Sequence, residues 1–458
     1  MSELPTHHLV RLRPRSETLY VSQDRTVLAM ERDGNLADGH EHGLFVHQTR
    51  LLSRYRYLID DRPPIPVVLS NVEQHSWLGY YIALPPGFDS GEQDQGSGQV
   101  EQISQQTLEL RLSRYVGAGM HEDIDLTNFT QQPTSFELAL EVDADFADQA
   151  ETKGERQQQG RIDRTWRELG GGAWELSFDY QVEQTYDHQG NTGTARLHRG
   201  VTLRIQDATS PPSYEDGRLT FKVELAPHGT WHACLNVIPQ IDGETLEPRY
   251  GCRSFSGIHG EHDRRRYAFL SAATVFATPE NESLAPIVVG TLEQAKRDLV
   301  ALRLYDLDRH EHAWTIAAGL PIYTALFGRD TLTAAWQASL VSLDLMRGTL
   351  PELARWQGTE VNDWRDEQPG RMLHEAHTGP LAMLNINPRR RYYGSITTSG
   401  FYPVAVSELW HWTGDADAVR PYVEPALRAL AWLDRERFHD GLYTYQTRSS
   451  DGVKHQAW

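Results

Sequence analysis

The hydrophobic pattern changes period once along the chain, near residue 285, and that change constrains the fold more than any other feature. Before it, apolar and polar residues alternate in short runs: LELRLSRYV (108–116), SFELALEVDADF (135–146), AWELSFDYQV (173–182), GVTLRIQD (200–207), LTFKVELAP (219–227) and WHACLNVIP (231–239). Period two marks strands with one buried face. Gly, Pro, Asp and Asn turns separate the runs, GGGAW (170–174) reading as a hairpin turn. Many short strands at this spacing predict an antiparallel β-sandwich. The absence of strand–helix alternation argues against a parallel dinucleotide-binding sheet.

After residue 285 the period becomes helical. TLEQAKRDLVALRLYDL (291–307) reads as a linker helix, and TLTAAWQASLVSLDLM (331–346) carries Leu332, Ala335, Trp336, Ser339, Leu340 and Leu343 on one stripe. FYPVAVSELWHWTGD (401–415) predicts a helix ending at Gly414-Asp415, and PYVEPALRALAWLDRERF (421–438) another, with Pro421 in its first turn. A long loop at 357–394 lies between them, and loops of such length usually carry function. At 458 residues, two or three domains are expected. The reading is a β-sandwich at 1–280, a linker helix at 281–308, and an α-helical toroid whose first part occupies 309–458. Low-complexity sequence is confined to 93–106, expected to be an exposed loop, and 151–161.

The formal net charge of −19 argues against nucleic acid and against anionic lipid as partners, leaving neutral ligands open. No stretch has the length of a membrane span, and the N-terminus lacks the apolar region of a signal peptide. The two cysteines, Cys234 and Cys252, are read as reduced structural thiols, which points to a cytoplasmic protein. Twelve Trp and nineteen Tyr are available as core or as platforms for sugar rings. The His-rich stretches DGHEHG (38–43), HEH (310–312) and HEAH (374–377) lack zinc-helix spacing, so no metal or other cofactor is expected. No Gly-x-Ser-x-Gly elbow and no phosphate-binding Gly-rich Lys motif is present.

Three stretches combine polar and aromatic residues at helix mouths. In YTALFGRDTLTAAW (323–336), Arg329 and Asp330 stand side by side. Asp330 has the position of an N-cap, whereas the pair together offers acceptors and forked donors suited to sugar hydroxyls. In WQGTEVNDWRDEQPGRMLHEAH (356–377), Trp356 and Trp364 can stack on a sugar, and Arg365, Asp366, His374 and Glu375 can bind its hydroxyls, Glu367 being read as solvated. In RRRYYGSITTSGFYPVAVSELWHWTGD (389–415), Tyr392 and Tyr393 lead into a helix as the Arg-Asp pair does.

LPIYTALFGRDTL, LARWQGTEVNDWRDEQPGRMLHE and RYYGSITTSGFYPVAVSELWHWTGD resemble the bacterial and archaeal amylo-alpha-1,6-glucosidase, or glycogen-debranching, proteins. GLFVHQTRLLSRYRYLIDD (43–61) and EVDADFADQAETKG (141–154) are similar to the β-rich domain that precedes the helical domain there. The resemblance implies a glucoamylase-type (α/α)6 toroid after the sandwich, an α-glucan or other glycoside as substrate, and Arg329 and Asp330 in the innermost sugar subsite. It implies inverting hydrolysis by two carboxylates roughly 6.5–9.5 Å apart. Thr397 stands where the family pattern has an Asp, which puts a pocket carboxylate in question. Only three or four of twelve toroid helices can be counted, so the general acid and base are expected beyond Trp458, with this portion alone inactive. The alternatives are another toroid hydrolase or phosphorylase acting on a trehalose-like or other glycoside, and a non-catalytic sugar-binding protein.

Overall fold

The computed structural model describes residues 18–36, 41–83, 107–254, 260–278, 285–436 and 441–457. The N-terminal stretch read for a signal peptide and the low-complexity segment 93–106 lie outside the described residues.

The period-two runs form antiparallel sheets. One nine-stranded sheet orders Arg161–Gly170, Ala173–His188, Asn191–Gln206, Thr230–Ile241, Met120–Asn128, Leu108–Val116, Ser76–Ala83 and Ile65–Glu73, with Glu244–Thr245 paired to Thr230–Ile241. A four-stranded sheet orders Pro212–Glu215, Arg218–Leu225, Thr134–Asp143 and Arg54–Ile59. A second runs Thr18–Gln23, Thr26–Glu31, Gly43–Val46 and Thr49–Leu52. Their inward residues share one core: Leu110, Ile124, Phe178 and Leu203 on the large sheet meet Leu138 and Phe221 on the first four-stranded one. Gly170, Gly171 and Gly172 all have positive φ at the hairpin read from GGGAW. The hairpin of Ala173–His188 and Asn191–Gln206 extends well beyond its alternating runs, because its polar outer end packs on the helical part instead of on the sandwich core.

Inside the sandwich sits a buried ion pair. Arg114 Nε donates to Glu122 Oε1 at 2.7 Å, Tyr57 donates to Oε2 at 2.8 Å, and Tyr55 donates to the same oxygen. The Arg114 guanidinium lies over the Trp77 and Tyr55 rings.

The last strand of these sheets ends at Thr245, and the described helices are α1 (Glu261–Ala272), α2 (Ala285–Ala301), α3 (Gly328–Gln337), α4 (Asp344–Arg355), α5 (Pro380–Met383), α6 (Thr397–Thr413) and α7 (Ala416–Arg435). The helix expected over 331–346 is broken between α3 and α4. Ser339 Oγ bonds back to the Ala335 carbonyl at 3.1 Å, and Ser342 Oγ accepts the Asp344 amide at 3.1 Å, so serines divert the backbone and start a new helix. Gly414, at φ 66°, closes α6 as its sequence predicts. Helix α7 starts five residues before Pro421, because the Asp415 side chain accepts the Asp417 amide and caps it there.

Leu332, Leu350, Leu353, Tyr402, Leu409 and Ala429 belong to a second core shared by α3, α4, α6 and α7. The opposite faces of α3, α6 and α7 stay bare: Trp336, Trp410, Trp412, Leu427 and Leu430 are all exposed, as expected of part of a toroid. The two parts are joined by polar and apolar contacts. Arg25 pairs with Asp306 at 2.9 Å, Asp148 Oδ2 accepts the Leu381 amide at 3.0 Å, and Leu384 enters the β core. No helix among the described residues is long and apolar enough to cross a membrane.

Candidate functional site

The site is organised by a small ribbon. Leu326–Phe327 pairs antiparallel with Glu375–Ala376, and Glu375 bridges to Tyr392. The ribbon delivers the chain into α3, whose first residue, Gly328, gives its amide to the His374 carbonyl at 2.7 Å. A Cβ at Gly328 would collide with the Leu373 carbonyl and press on Thr398 in the first turn of α6. Glycine is therefore required where the N-termini of α3 and α6 meet. The close approach places Arg329, Asp330 and Thr397 at one end of the helical part.

Arg329 and Asp330 are exposed. Neither makes a hydrogen bond or ion pair with another described residue. The residue before α3 is Phe327, with no side-chain cap, and Asp330 is the third residue of the helix. The capping expectation for Asp330 is thus incorrect: the ribbon, not a side chain, sets the start of the helix. The Asp330 charge still acts on the neighbouring His374, opposing the burial that holds this imidazole below its usual pKa. Phe327 stands edge-on to His374 and His377, and exposed Tyr323 stands edge-on to Phe327.

Beneath this surface Glu375 is buried. Burial pushes its carboxyl up, but the His377 hydrogen bond and the electrostatic pull of His377, His374 and Arg389 outweigh it and hold the group below its usual range. The tautomer of His377 follows from its partners. The Gln48 carbonyl oxygen accepts the Thr378 amide at 3.0 Å, so the Gln48 NH2 faces His377 Nδ1 at 2.8 Å. Nδ1 is then an acceptor, and Nε2 carries the proton donated to Glu375 Oε2 at 2.9 Å. A β-domain turn thereby orients a carboxylate of the helical part.

Several residues expected to bind sugar are internal ties instead. Trp364 is buried, stacked on His188 of the long hairpin at 3.8 Å between ring centres, and its Nε1 donates to Asn385 Oδ1 at 2.9 Å. One face and its polar edge thus belong to the joint between the two parts. Asp366 is buried in left-handed conformation at φ 51°. Its Oδ1 accepts the amides of Arg448 at 2.6 Å and Ser449 at 3.1 Å, and its Oδ2 accepts Tyr392 Oη at 2.7 Å and Gln456 Nε2 at 2.9 Å. Four donors saturate this carboxylate. Tyr392 and Tyr393 have no exposed surface, and Tyr393 donates to the Trp356 carbonyl at 2.7 Å. Glu367, read as solvated, is fully buried in pairs with Arg365 at 2.6 Å and Arg391 at 3.2 Å. Arg365 also pairs with Glu360 at 2.6 Å, so it positions the loop. Trp356 is half-buried between the guanidiniums of Arg355 and Arg391.

Of the nine residues singled out as binders, Arg329, Asp330, His374 and Glu375 are brought together around the ribbon; Trp364, Arg365, Asp366, Tyr392 and Tyr393 support it from within. Sequence reasoning overlooked Gln48. Its signal is local: His47 and Gln48 have φ 47° and 59° in a two-residue hairpin turn, where Asn-Gly would be the easy choice. Larger side chains retained there reach His377 and Thr378.

With this geometry in hand, comparisons with known proteins place the fold. Residues 21–236 match the model of the N-terminal domain of (some) glycogen debranching enzymes. A proposed kojibiose phosphorylase from the human microbiome superposes with TM-score 0.55 at 10% identity, over 92% of this chain and 57% of that one. The matched β-rich stretch is thus followed by helices arranged as in that structure, and the chain spans a little over half of that structure's length. A GH92-family glycosyl hydrolase (TM-score 0.31, 12% identity, 92% of this chain and 59% of that one) is too distant to support an argument. So is a galactose mutarotase-like protein from Clostridium acetobutylicum (TM-score 0.26, 9% identity, 49% and 95%). No curated protein matches the sequence significantly.

Proposed function

We propose that the chain is part of a carbohydrate-active enzyme of the glycogen-debranching type that hydrolyses α-glucosidic linkages, with Arg329 and Asp330 gripping the hydroxyls of the innermost sugar. One observation carries this reading. Nearby Asp366, Glu367 and Glu375 are buried and engaged, whereas Arg329 and Asp330 stand exposed and, among the described residues, unpaired at the paired N-termini of α3 and α6. A guanidinium and a carboxylate left open side by side fit a neutral polyol, which both accepts and donates. His374 and Glu375 support the pair from below, with the Gln48–His377 relay fixing the carboxylate. The bare apolar faces of α3, α6 and α7 support a larger helical domain, in which the general acid and base are proposed to come from other helices.

The fold likeness to a proposed kojibiose phosphorylase favours a second reading, phosphorolysis of an α-glucoside. One assay separates the two. The complete gene product is incubated with a branched limit dextrin and with α-linked disaccharides, with and without inorganic phosphate. Free glucose independent of phosphate supports hydrolysis; sugar phosphate formed only with phosphate supports phosphorolysis. Asp330→Asn is expected to lower kcat/KM at least about tenfold, since one lost charge-assisted bond of roughly 1.5–3 kcal/mol gives that factor or more. Unchanged efficiency would remove the subsite from the Arg-Asp pair.

A further inference from the structure

A second group of reactive side chains lies in the nine-stranded sheet, outside the site above. Strands Met120–Asn128 and Thr230–Ile241 pair with Asp123 opposite Cys234 and Asp125 opposite His232. Residues two apart on a strand share a face, so these four project together. The chain leaving the sheet brings Cys252 onto them. His232 Nε2 lies 3.2 Å from Cys234 Sγ and 3.4 Å from Cys252 Sγ, and Cys234 Sγ lies 3.4 Å from Asp123 Oδ1. The four potential ligand atoms of Asp123, His232, Cys234 and Cys252 are all within 4.8 Å of one another.

We propose that these four residues form a closed, structural Zn2+ site. The donor set has the required softness: two sulfurs and an imidazole select zinc over magnesium or calcium. The size fits as well. Bond lengths of about 2.0–2.3 Å in a tetrahedron require ligand atoms roughly 3.3–3.8 Å apart, close to the separations seen before any metal draws them into place. The surrounding shell is that of a metal centre. Asp125 Oδ1 holds His232 Nδ1 at 2.8 Å, which turns Nε2 toward the cysteines. Asp123 is fixed by the Arg253 amide at 2.9 Å on Oδ2 and by His121 Nε2 at 3.1 Å on Oδ1. A carboxylate behind a ligating histidine sets its tautomer and raises its basicity. Cys252 is exposed and provides the entry path, whereas Cys234 is buried.

Four protein ligands leave no open position, so the ion serves architecture and not turnover. On binding, each thiol gives its proton to water and its sulfur bonds the metal. The ion clasps the segment that runs toward α1 onto the sheet. No Cys-x-x-Cys spacing announces the site, because the strand register and the returning loop assemble it; the sequence expectation of no metal rested on spacing alone.

The test uses the 458-residue protein purified under reducing, oxygen-free conditions and stripped with a chelator. Zn2+ is titrated against a chromophoric competitor, and Co2+ is followed by absorption. The expected result is one equivalent bound, with thiolate-to-cobalt charge transfer and the strong visible bands of tetrahedral Co2+. Asp125→Asn should weaken binding about 10–100-fold. Cys252→Ser, at an exposed position, should leave the melting temperature of the metal-free protein unchanged and abolish the rise that Zn2+ gives the parent. Three outcomes would each overturn the proposal: no stoichiometric binding, undiminished affinity in Cys252→Ser, or a Cys234–Cys252 disulfide as the form isolated from cells.

Discussion

Replacing Asp366 by Asn tests whether this residue binds substrate or holds the molecule together. The change is nearly isosteric, and Asn tolerates the left-handed backbone at φ 51°, so strain does not confuse the result. Each carboxylate oxygen accepts two bonds: Arg448 and Ser449 amides on one, Tyr392 Oη and Gln456 Nε2 on the other. An Asn can present its carbonyl to one pair only. Whichever way it turns, its NH2 faces two donors. At roughly 1.5–3 kcal/mol for each bond to a charged group, two lost bonds cost about 3–6 kcal/mol, with the lower figure where water enters the 447–456 segment. With a urea m-value of about 3 kcal/mol/M, the midpoint falls by about 1 M or more. Urea unfolding followed by Trp fluorescence reads this shift, Trp432 and Trp364 being buried in the same region. A midpoint within about 0.3 M of the parent, with sugar affinity lost, would refute the structural assignment and return Asp366 to the binding site.

The exposed Asp330 should behave oppositely. Asp330→Asn removes only a first-turn charge at the helix N-terminus, about 0.3–1 kcal/mol, and the measured stability should change by no more than that. In the sandwich, Glu122→Gln leaves Arg114 buried without its counter-charge, and a loss of about 3–5 kcal/mol in denaturant unfolding is expected; a loss under 1 kcal/mol would show the pair to be dispensable. Burial, with the charges of Arg249, Arg265 and Arg303, pushes His262 down to about 2. Its folded pKa lies below the unfolded value, so the unfolded chain protonates first as pH falls. The stability is complete well above about 6.5 and declines below it with a slope approaching about 1.4 kcal/mol per pH unit. Urea midpoints at pH 7.5 and 5.5 should therefore differ less in His262→Gln than in the parent, and equal differences would dismiss the linkage.

Repeating local physics was legible without a structure. Alternation along LELRLSRYV and WHACLNVIP defined strands, because one face of a sheet is buried whatever the partner strand is. Gly414 ended α6, because a left-handed residue is a local requirement. Arg329 and Asp330 were legible as a pair at a helix mouth, and His374 and Glu375 as polar candidates in a separate loop. The roles of Trp364, Asp366, Tyr392 and Tyr393 were not. An aromatic or acidic residue in a long loop reads the same whether it faces solvent, sugar or core, and what decides is which distant groups meet it. Three of the four donors to Asp366 come from residues some 80–90 positions later, and Trp364 is covered by a histidine from the β domain. The same holds for Asp123, His232, Cys234 and Cys252, gathered by a strand register and a returning loop. Backbone period is a property of neighbouring residues and is written in the sequence; the burial and pairing of one polar side chain are properties of the whole fold, and only tertiary structure assigns them.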